Sequence, residues 1–449
     1  MKQKEQTRIA LITPYTGGNL GDAAIQEAVI AAIRRRLPQC DLNLIVLEPP
    51  RVEQRHGVRC FPISQFVTRR TKSQGVRGVA IKTVFAADSG RRTEGLKDRL
   101  KNLPVAYGAL RAAYRVMRRF ARTTLLLPKE LVHITLAIWF LRGQRMLIVS
   151  GGGQLCDYWG GPWRQPYALL KWGVIARIVR ARYVFLSVGA GPIGSSLSVI
   201  MLHGALGLAQ YRSYRDRKTK MQFGSVSVGR NDSVYPDLVF GFPEERLRYE
   251  TNPLREGDRA LIAVNPIAYL SPDVWPVKDA SFYERYIAVM GEFVVRLFDQ
   301  GYEVVLFSSS QQDRGALKAV HTEVLRSRSQ GIGQAVTILD TPNIDSLFAQ
   351  LRSAALVIAS RLHGVLLSHL LYKPVLAFSY DEKVTAYMQE AGLSEYCLSI
   401  DEIDVDALET SFRMLRGTSA QVAEKLRLTS AEHREKLNWQ YDRVLRLLQ

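Results

Sequence analysis

Short apolar runs alternate with helical stretches through most of this chain, and that rhythm fixes its fold class. After residue 259 the runs ALIAVNPI, YEVVLFSSS, AVTILD, ALVIAS and PVLAFSY are separated by helical patterns near 281–299, 314–328, 343–353, 362–371 and 382–391. Runs that are apolar at nearly every position, rather than at every second one, belong to parallel strands covered on both faces. The chain opens in the same way: IALITPY, then TGGNLGD, then a helix with Ile25, Ala28, Val29, Ala32, Ile33 and Leu37 on one stripe, then DLNLIVLE. The alternation returns at 146 with MLIVS, a helix around 166–181, YVFLSVG, a helix near 195–209 and short strands at 211–215 and 226–229. A polar stretch, PEERLRYETNPLREGDR, separates the two series. The reading is α/β: two Rossmann-like parallel-sheet domains, 1–248 and 249–449, facing a cleft, with closing helices at 404–449. Ligands in such folds sit outside the carboxyl ends of the strands.

Residues 51–145 break the rhythm. They hold 21 Lys or Arg against 5 Asp or Glu, most of the chain's net +19, and read as a basic excursion from the first domain. Within it Tyr107, Leu110, Tyr114 and Met117 form an apolar stripe beside Arg111, Arg115, Arg118 and Arg119. Charge alone does not choose between nucleic acid, anionic lipid and an acidic substrate, but no nucleic-acid module accompanies it, so no nucleic-acid partner is expected. The most apolar stretch, Leu125 to Leu141, contains Pro128, Lys129, Glu130 and His133 and falls short of the roughly 20 apolar residues a bilayer span needs. The polar start MKQKEQTR is unlike a secretory signal. Cys40, Cys60, Cys156 and Cys397 form no C-x-x-C pair, so neither a metal site nor a disulfide framework is expected, and a reducing, cytoplasmic setting fits.

Four loops follow strands on the ligand side. The first, Thr16-Gly17-Gly18-Asn19-Leu20-Gly21-Asp22, pairs glycines with a helix N-terminus, which suits a phosphate or a close-lying ligand; a tight turn with Asp22 as helix cap is the structural alternative. The second, Ser150-Gly151-Gly152-Gly153, sets three glycines at a strand end, where a ligand or a crowded backbone is expected. The third, Gly189-Ala190-Gly191-Pro192-Ile193-Gly194, matches G-x-G-x-x-G with Asp216 downstream and keeps a nicotinamide or flavin oxidoreductase as a rival. In the fourth, an apolar strand runs into Ser360-Arg361-Leu362-His363-Gly364 at a helix start, placing a charged fork and an imidazole where backbone N–H groups favour an anion. Lys383 follows the next strand, and Arg215 with Asp216 follows the last strands of the first domain. The plainer alternative is that Arg361 pairs with an acidic neighbour and His363 caps the helix. His369, within VLLSHLL, reads as helix packing.

The ordered set GGNLGD, SGGG, SVGAGPI, SYRD, YPDLVF, ASRLHG and PVLAFSYDEK resembles the polysaccharide pyruvyl transferase family, over most of the chain except the basic excursion. The resemblance implies a GT-B-like fold, phosphoenolpyruvate as donor with no further cofactor, and as acceptor a sugar of a cell-surface polysaccharide or its lipid-linked precursor. A carboxylate and a phosphate held close together need a fork and a further cation, which Arg361, Arg215 and Lys383 supply, with Leu362 in the same donor segment. His363 is then the general acid/base, because an imidazole titrates near working pH. Gly18, Asn19, Gly21, Asp22, Gly151, Gly152 and Gly153 would face the acceptor or its diphosphate. If that acceptor is lipid-linked, residues 105–122 are expected to lie on an anionic membrane. Two further alternatives are a glycosyltransferase using a nucleotide-sugar, with Asp381 or Glu382 on the ribose, and a non-catalytic sugar-binding protein.

Overall fold

In this computed structural model, which describes residues 6–13, 18–65, 127–158, 160–224, 232–247, 259–275, 277–327 and 331–449, two all-parallel sheets account for the strands of the larger of two compact units. That unit comprises residues 1–63 and 143–449; the smaller comprises 64–142. The first sheet has the order β3-β2-β1-β4-β5-β6-β7, built from Arg8–Ile12 (β1), Asp41–Val46 (β2), Cys60–Pro62 (β3), Met146–Ser150 (β4), Arg182–Val188 (β5), Tyr211–Tyr214 (β6) and Ser233–Val234 (β7). The second has the order β10-β9-β8-β11-β12-β13, built from Leu261–Asn265 (β8), Glu303–Leu306 (β9), Val336–Ile338 (β10), Leu356–Ala359 (β11), Val375–Ser379 (β12) and Cys397–Ser399 (β13). Each order reverses once, between β1 and β4 in the first sheet and between β8 and β11 in the second. Those reversals are the switch points where an open parallel sheet leaves a crevice.

The central strands are buried along nearly their whole length, as their uninterrupted apolar runs require. The strand assignments differ from the sequence reading at the edges. Residues 51–62 do not join the basic excursion: the helix Pro49–His56 and β3 complete the first sheet. Pro49 and Pro50 start that helix, and Gly57, at φ 61, ends it in the left-handed region that glycine alone enters freely. Val52 is its one buried residue, and Arg51 and Glu53 face solvent. The strand expected at 226–229 lies outside the described residues, as does the Arg-rich stretch 105–122. The smaller unit contributes a described helix at 127–141. No described helix is long and apolar enough to cross a membrane.

Two helices tie the sheets together. The Leu20–Arg36 helix buries the expected Ile25, Ala28, Val29, Ala32 and Ile33, but also Gln26, Glu27 and Ile30. It is covered on both sides because it packs on the first sheet and also against helices that follow strands of the second. Its buried Glu27 is accordingly paired twice, with Arg55 and Arg246. The last helix, Ser419–Leu445, returns to the first sheet, where Gln440 Nε2 donates to Ser213 Oγ at 2.5 Å and to Ser187 Oγ at 3.2 Å. Ser187 has φ 44, and the β5–β6 register shifts between Phe185 and Val188. The bulge re-aims the chain just before the Gly189 loop, and Gln440 helps hold its strained residue in place.

Candidate active site

The site is assembled at the two switch points. From the second sheet, β11 delivers the buried Ser360 and then Arg361, which precedes the helix Leu362–Leu370 without any side-chain cap. His363 lies in the first turn of that helix, and its Nε2 is buried with no hydrogen-bond partner among the described residues. The ring rests on the backbone of Gly21, at the start of the Leu20 helix: a Cβ there would come within 2.0 Å of His363 Cγ. Only glycine permits that approach, and it brings the two sheets together at the imidazole.

Charges surround this ring. Burial pushes His363 below its ordinary pKa; Asp22 and Asp237 pull it up, while Arg215 and Lys383 push it further down. Asp22 is partly accessible but crowded by protein, and burial raises its carboxyl above the usual range, opposed by His363. Asn19 holds Asp22 in place, donating from Nδ2 to Asp22 Oδ2 at 2.9 Å while its Oδ1 accepts from Gly21 N at 3.0 Å. The alternative with Asp22 as helix cap is therefore replaced by Asn19 as cap. Asp237 is buried, caps the turn at Leu238–Gly241, and accepts from Arg215 Nη1 at 3.2 Å. Asp216 lies 3.7 Å from Arg215 Nε and caps the following helix.

The expected donor cations differ in how free they are. Arg361 forms a bidentate pair with Asp313, 2.7 Å from Nε and 2.8 Å from Nη2, and Asp313 is fully buried. The acidic-neighbour alternative is thus what the structure contains. The Arg361 fork is closed on Asp313 through Nε and Nη2, which leaves Nη1, and the guanidinium lies 5.4 Å from the Trp275 ring and 5.8 Å from the Tyr380 ring. Lys383 is the most open, with Nζ 3.0 Å from Asp381 and its side chain 36% exposed. Burial works against the Asp381 charge, yet Lys383 holds that carboxyl below its ordinary range. Leu362 is a core side chain, 6% exposed, so its part in any donor contact is limited to its backbone.

The glycine loops do different work from what their spacing suggests. Thr16 and Gly17 lie outside the described residues. Gly18 O accepts from Gln311 N at 2.8 Å and Leu20 N donates to Ser309 O at 2.9 Å, so Gly18 and Asn19 strap the first domain to the loop after β9. Gly151, at φ 41, packs where a Cβ would sit 3.0 Å from both Ile25 and Leu238; Gly152 lies beside Asp22; Gly153 faces open space. In the third loop, the N–H groups of Gly189, Ala190, Gly191, Gly194 and Ser195 all donate within the protein. A Cβ at Gly189 would meet the Arg215 guanidinium at 2.6 Å, and one at Gly191 would meet Cys156 at 2.9 Å. Gly189 and Gly191 serve packing while Gly194 faces open space, and the bonded N–H groups speak against a pyrophosphate cradle and so against the oxidoreductase alternative. His369 is fully buried, its Nδ1 2.9 Å from Tyr387 Oη, as expected of a packed residue.

Asp313, Asp237 and Tyr380 were not assigned roles from sequence. Asp237 and Tyr380 stand inside YPDLVF and SYDEK, so the signal was present; Asp313 sits in a short 3-10 turn, 48 residues from its partner Arg361, and gave none. Among the described residues no group of three or more His, Cys, Asp or Glu is placed to hold a metal.

The fold is shared with sugar-nucleotide enzymes. The chain superposes on a UDP-GlcNAc 2-epimerase from Neisseria meningitidis, crystallised with UDP-GlcNAc, with a TM-score of 0.51 at 9% identity over 94% of each chain. The corresponding epimerase from Methanocaldococcus jannaschii gives a TM-score of 0.52 at 9% identity, over 91% of this chain and 92% of that one. Identities so low speak for a common GT-B-like fold alone. No protein of curated function matches the sequence. A family model described as polysaccharide pyruvyl transferase does match, over residues 19–382, from the strap at Asn19 to Glu382 beside Lys383, and the chain belongs to that family.

Proposed function

We propose that the chain moves the pyruvate group of phosphoenolpyruvate onto two hydroxyls of one sugar in a cell-surface polysaccharide or its lipid-linked precursor, forming a cyclic ketal. The observation that carries the reading is the His363 Nε2, held near the neutral form by burial, without a partner among the described residues, between two carboxylates and the cations Arg215 and Lys383. A neutral imidazole accepts a proton from a sugar hydroxyl, and Asp22 beside it stabilises the imidazolium so formed. The open cation Lys383, the Nη1 edge of Arg361 and the uncapped start of the Leu362 helix suit the carboxylate and phosphate of the donor.

The chemistry balances as follows. The methylene carbon of the donor gains a proton, giving an oxocarbenium-like centre that the first hydroxyl attacks. The C–O bond to phosphate then breaks, and the second hydroxyl closes the ring. Of the two hydroxyl protons, one finishes on the methyl group and the other leaves with phosphate. His363 is the group suited to carry a proton between these positions.

In the nucleotide-sugar alternative the ribose would meet Asp381, paired with Lys383, or Glu382, in a surface pair with Lys218. Incubation with phosphoenolpyruvate and a lipid-linked or polymeric glycan fraction is expected to release phosphate and to give a ketal methyl signal in the glycan. Binding of a uridine or guanosine diphosphate-sugar without phosphate release would replace this reading by the glycosyltransferase one.

A further inference from the structure

Between Asp157 and Asp216 the chain runs through residues 158–215 with seven Lys or Arg and no Asp or Glu. This acid-free stretch forms the helices Gln165–Ile178 and Ser196–Leu208, which pack on each other closely enough that a Cβ on Gly204 would lie 3.1 Å from Leu170. The Ser196 helix contains no charged residue at all. A surface helix normally turns its apolar stripe inward and its polar face out. These two turn apolar side chains both ways.

The outward set is large. Ile200 is 67% exposed, Ile178 59%, Val174 44% and Trp163 60%. Tyr167, Val174 and Ile178 follow one line along the Gln165 helix at steps of seven and four, and Trp163, in the turn just before it, has its ring 5.8 Å from that of Tyr167. Exposed Arg177 and Arg180 stand at the end of that line. A protein partner's face commonly mixes both signs of charge, whereas an apolar face carrying Trp, flanked by cations and free of carboxylates, matches the interface of an anionic bilayer.

One end of the face, the start of the Ser196 helix, reaches the loop beside the candidate site. Asp157 accepts from Gly194 N, Ser195 N and Ser198 Oγ, fastening the start of the Ser196 helix to the loop that carries Cys156. Lys383 and Asp22 lie within electrostatic reach of that thiol. We infer that the outer face of the Gln165 and Ser196 helices docks on an anionic phospholipid membrane and so brings a membrane-held acceptor to the first-domain rim of the site. The purpose rests on the glycan-acceptor reading above; the docking itself does not.

The test is co-sedimentation of the full chain with phosphatidylcholine vesicles with and without phosphatidylglycerol. Three variants accompany wild type: Ile178→Ser with Ile200→Ser, Arg177→Gln with Arg180→Gln, and a control with Arg111, Arg115, Arg118 and Arg119 all changed to Gln. Wild type is expected to bind the anionic vesicles and to be released by salt. The double Ser variant should bind at least about tenfold more weakly, as removal of two inserted apolar side chains predicts. The double Gln variant should lose the phosphatidylglycerol preference. Turnover of a water-soluble glycan fragment should be unchanged in both, so loss of turnover in wild type would count against the reaction and not against docking. Unchanged vesicle binding in the double Ser variant overturns the inference. So does loss of binding in the excursion control alone, or a wild type that ignores vesicles and forms a dimer broken by the double Ser change.

Discussion

The helices that begin at Leu20 and at Leu362 each start at a switch point, touch through Gly21 and His363, and are finished in opposite ways. The first is closed by its own sequence: Asn19 caps it, Asp22 lies in its first turn, and the backbone before it is strapped to Ser309 and Gln311. The second has no side-chain cap and opens with Arg361 and an imidazole whose Nε2 has no partner among the described residues. A capped, strapped helix start is a structural joint, whereas an uncapped one with a neutral histidine keeps its hydrogen-bonding capacity for a ligand. On the proposed function the site is asymmetric, with the second sheet presenting His363, Arg361 and Lys383 and the first adding Asp22 and Arg215 and holding the ring in register.

The contrast breaks most sharply at the point of contact. Gly21→Ala puts a methyl group where His363 now sits, 2.0 Å from its Cγ, and should cost about a hundredfold in kcat through misplacement of the ring. Its melting temperature should fall as well, because the ring or the helix start must shift. Wild-type turnover in this variant would mean that the ring is not the reacting group. Next, Asp313→Asn leaves the half-buried Arg361 without its carboxylate and should cost about 1–3 kcal/mol of stability, read in denaturant unfolding, with a raised KM for the donor. A raised KM without loss of stability would instead make Asp313 a residue that acts on the ligand.

The pH dependence of stability follows from histidines the fold keeps neutral. Burial lowers His369 to about 3, and, together with nearby cations, lowers His56 and His433 to about 4. An unfolded chain titrates these near 6.5, so between about 6.5 and 4 the unfolded state binds protons the folded state refuses. Stability should fall as pH drops through that window, by at most about 1.4 kcal/mol per pH unit for the fully buried His369, and be unaffected by it above. His369→Gln should flatten the slope. The smallest effect is expected from Asn19→Ala, about 1 kcal/mol for a lost helix cap, with turnover reduced only insofar as Asp22 loosens.

The alternation of apolar runs and glycine loops made both sheets and the ligand-facing loops readable from sequence, because a strand buried on both faces has few residue types to choose from. His363, Arg361, Arg215, Lys383 and Asp22 were legible for the same reason: polar groups stand out where β11, β6, β12 and β1 give way to loops. What escaped was non-local. Nothing near Arg361 announces Asp313, and nothing in GGNLGD announces that Gly21 supports a ring 342 positions later or that Gly18 bonds to Gln311. The Ser419 helix looked like a simple closing element, and its polar Gln440 gave no hint that it reaches Ser187 and Ser213 in the first sheet.

Glycan-dependent phosphate release from phosphoenolpyruvate, measured side by side for wild type and His363→Ala, tests the central claim most directly. The account predicts release by the wild type with an acid limb below the ordinary histidine value, and a loss of about a thousandfold in His363→Ala while donor binding persists. Release by His363→Ala at the wild-type rate would contradict it.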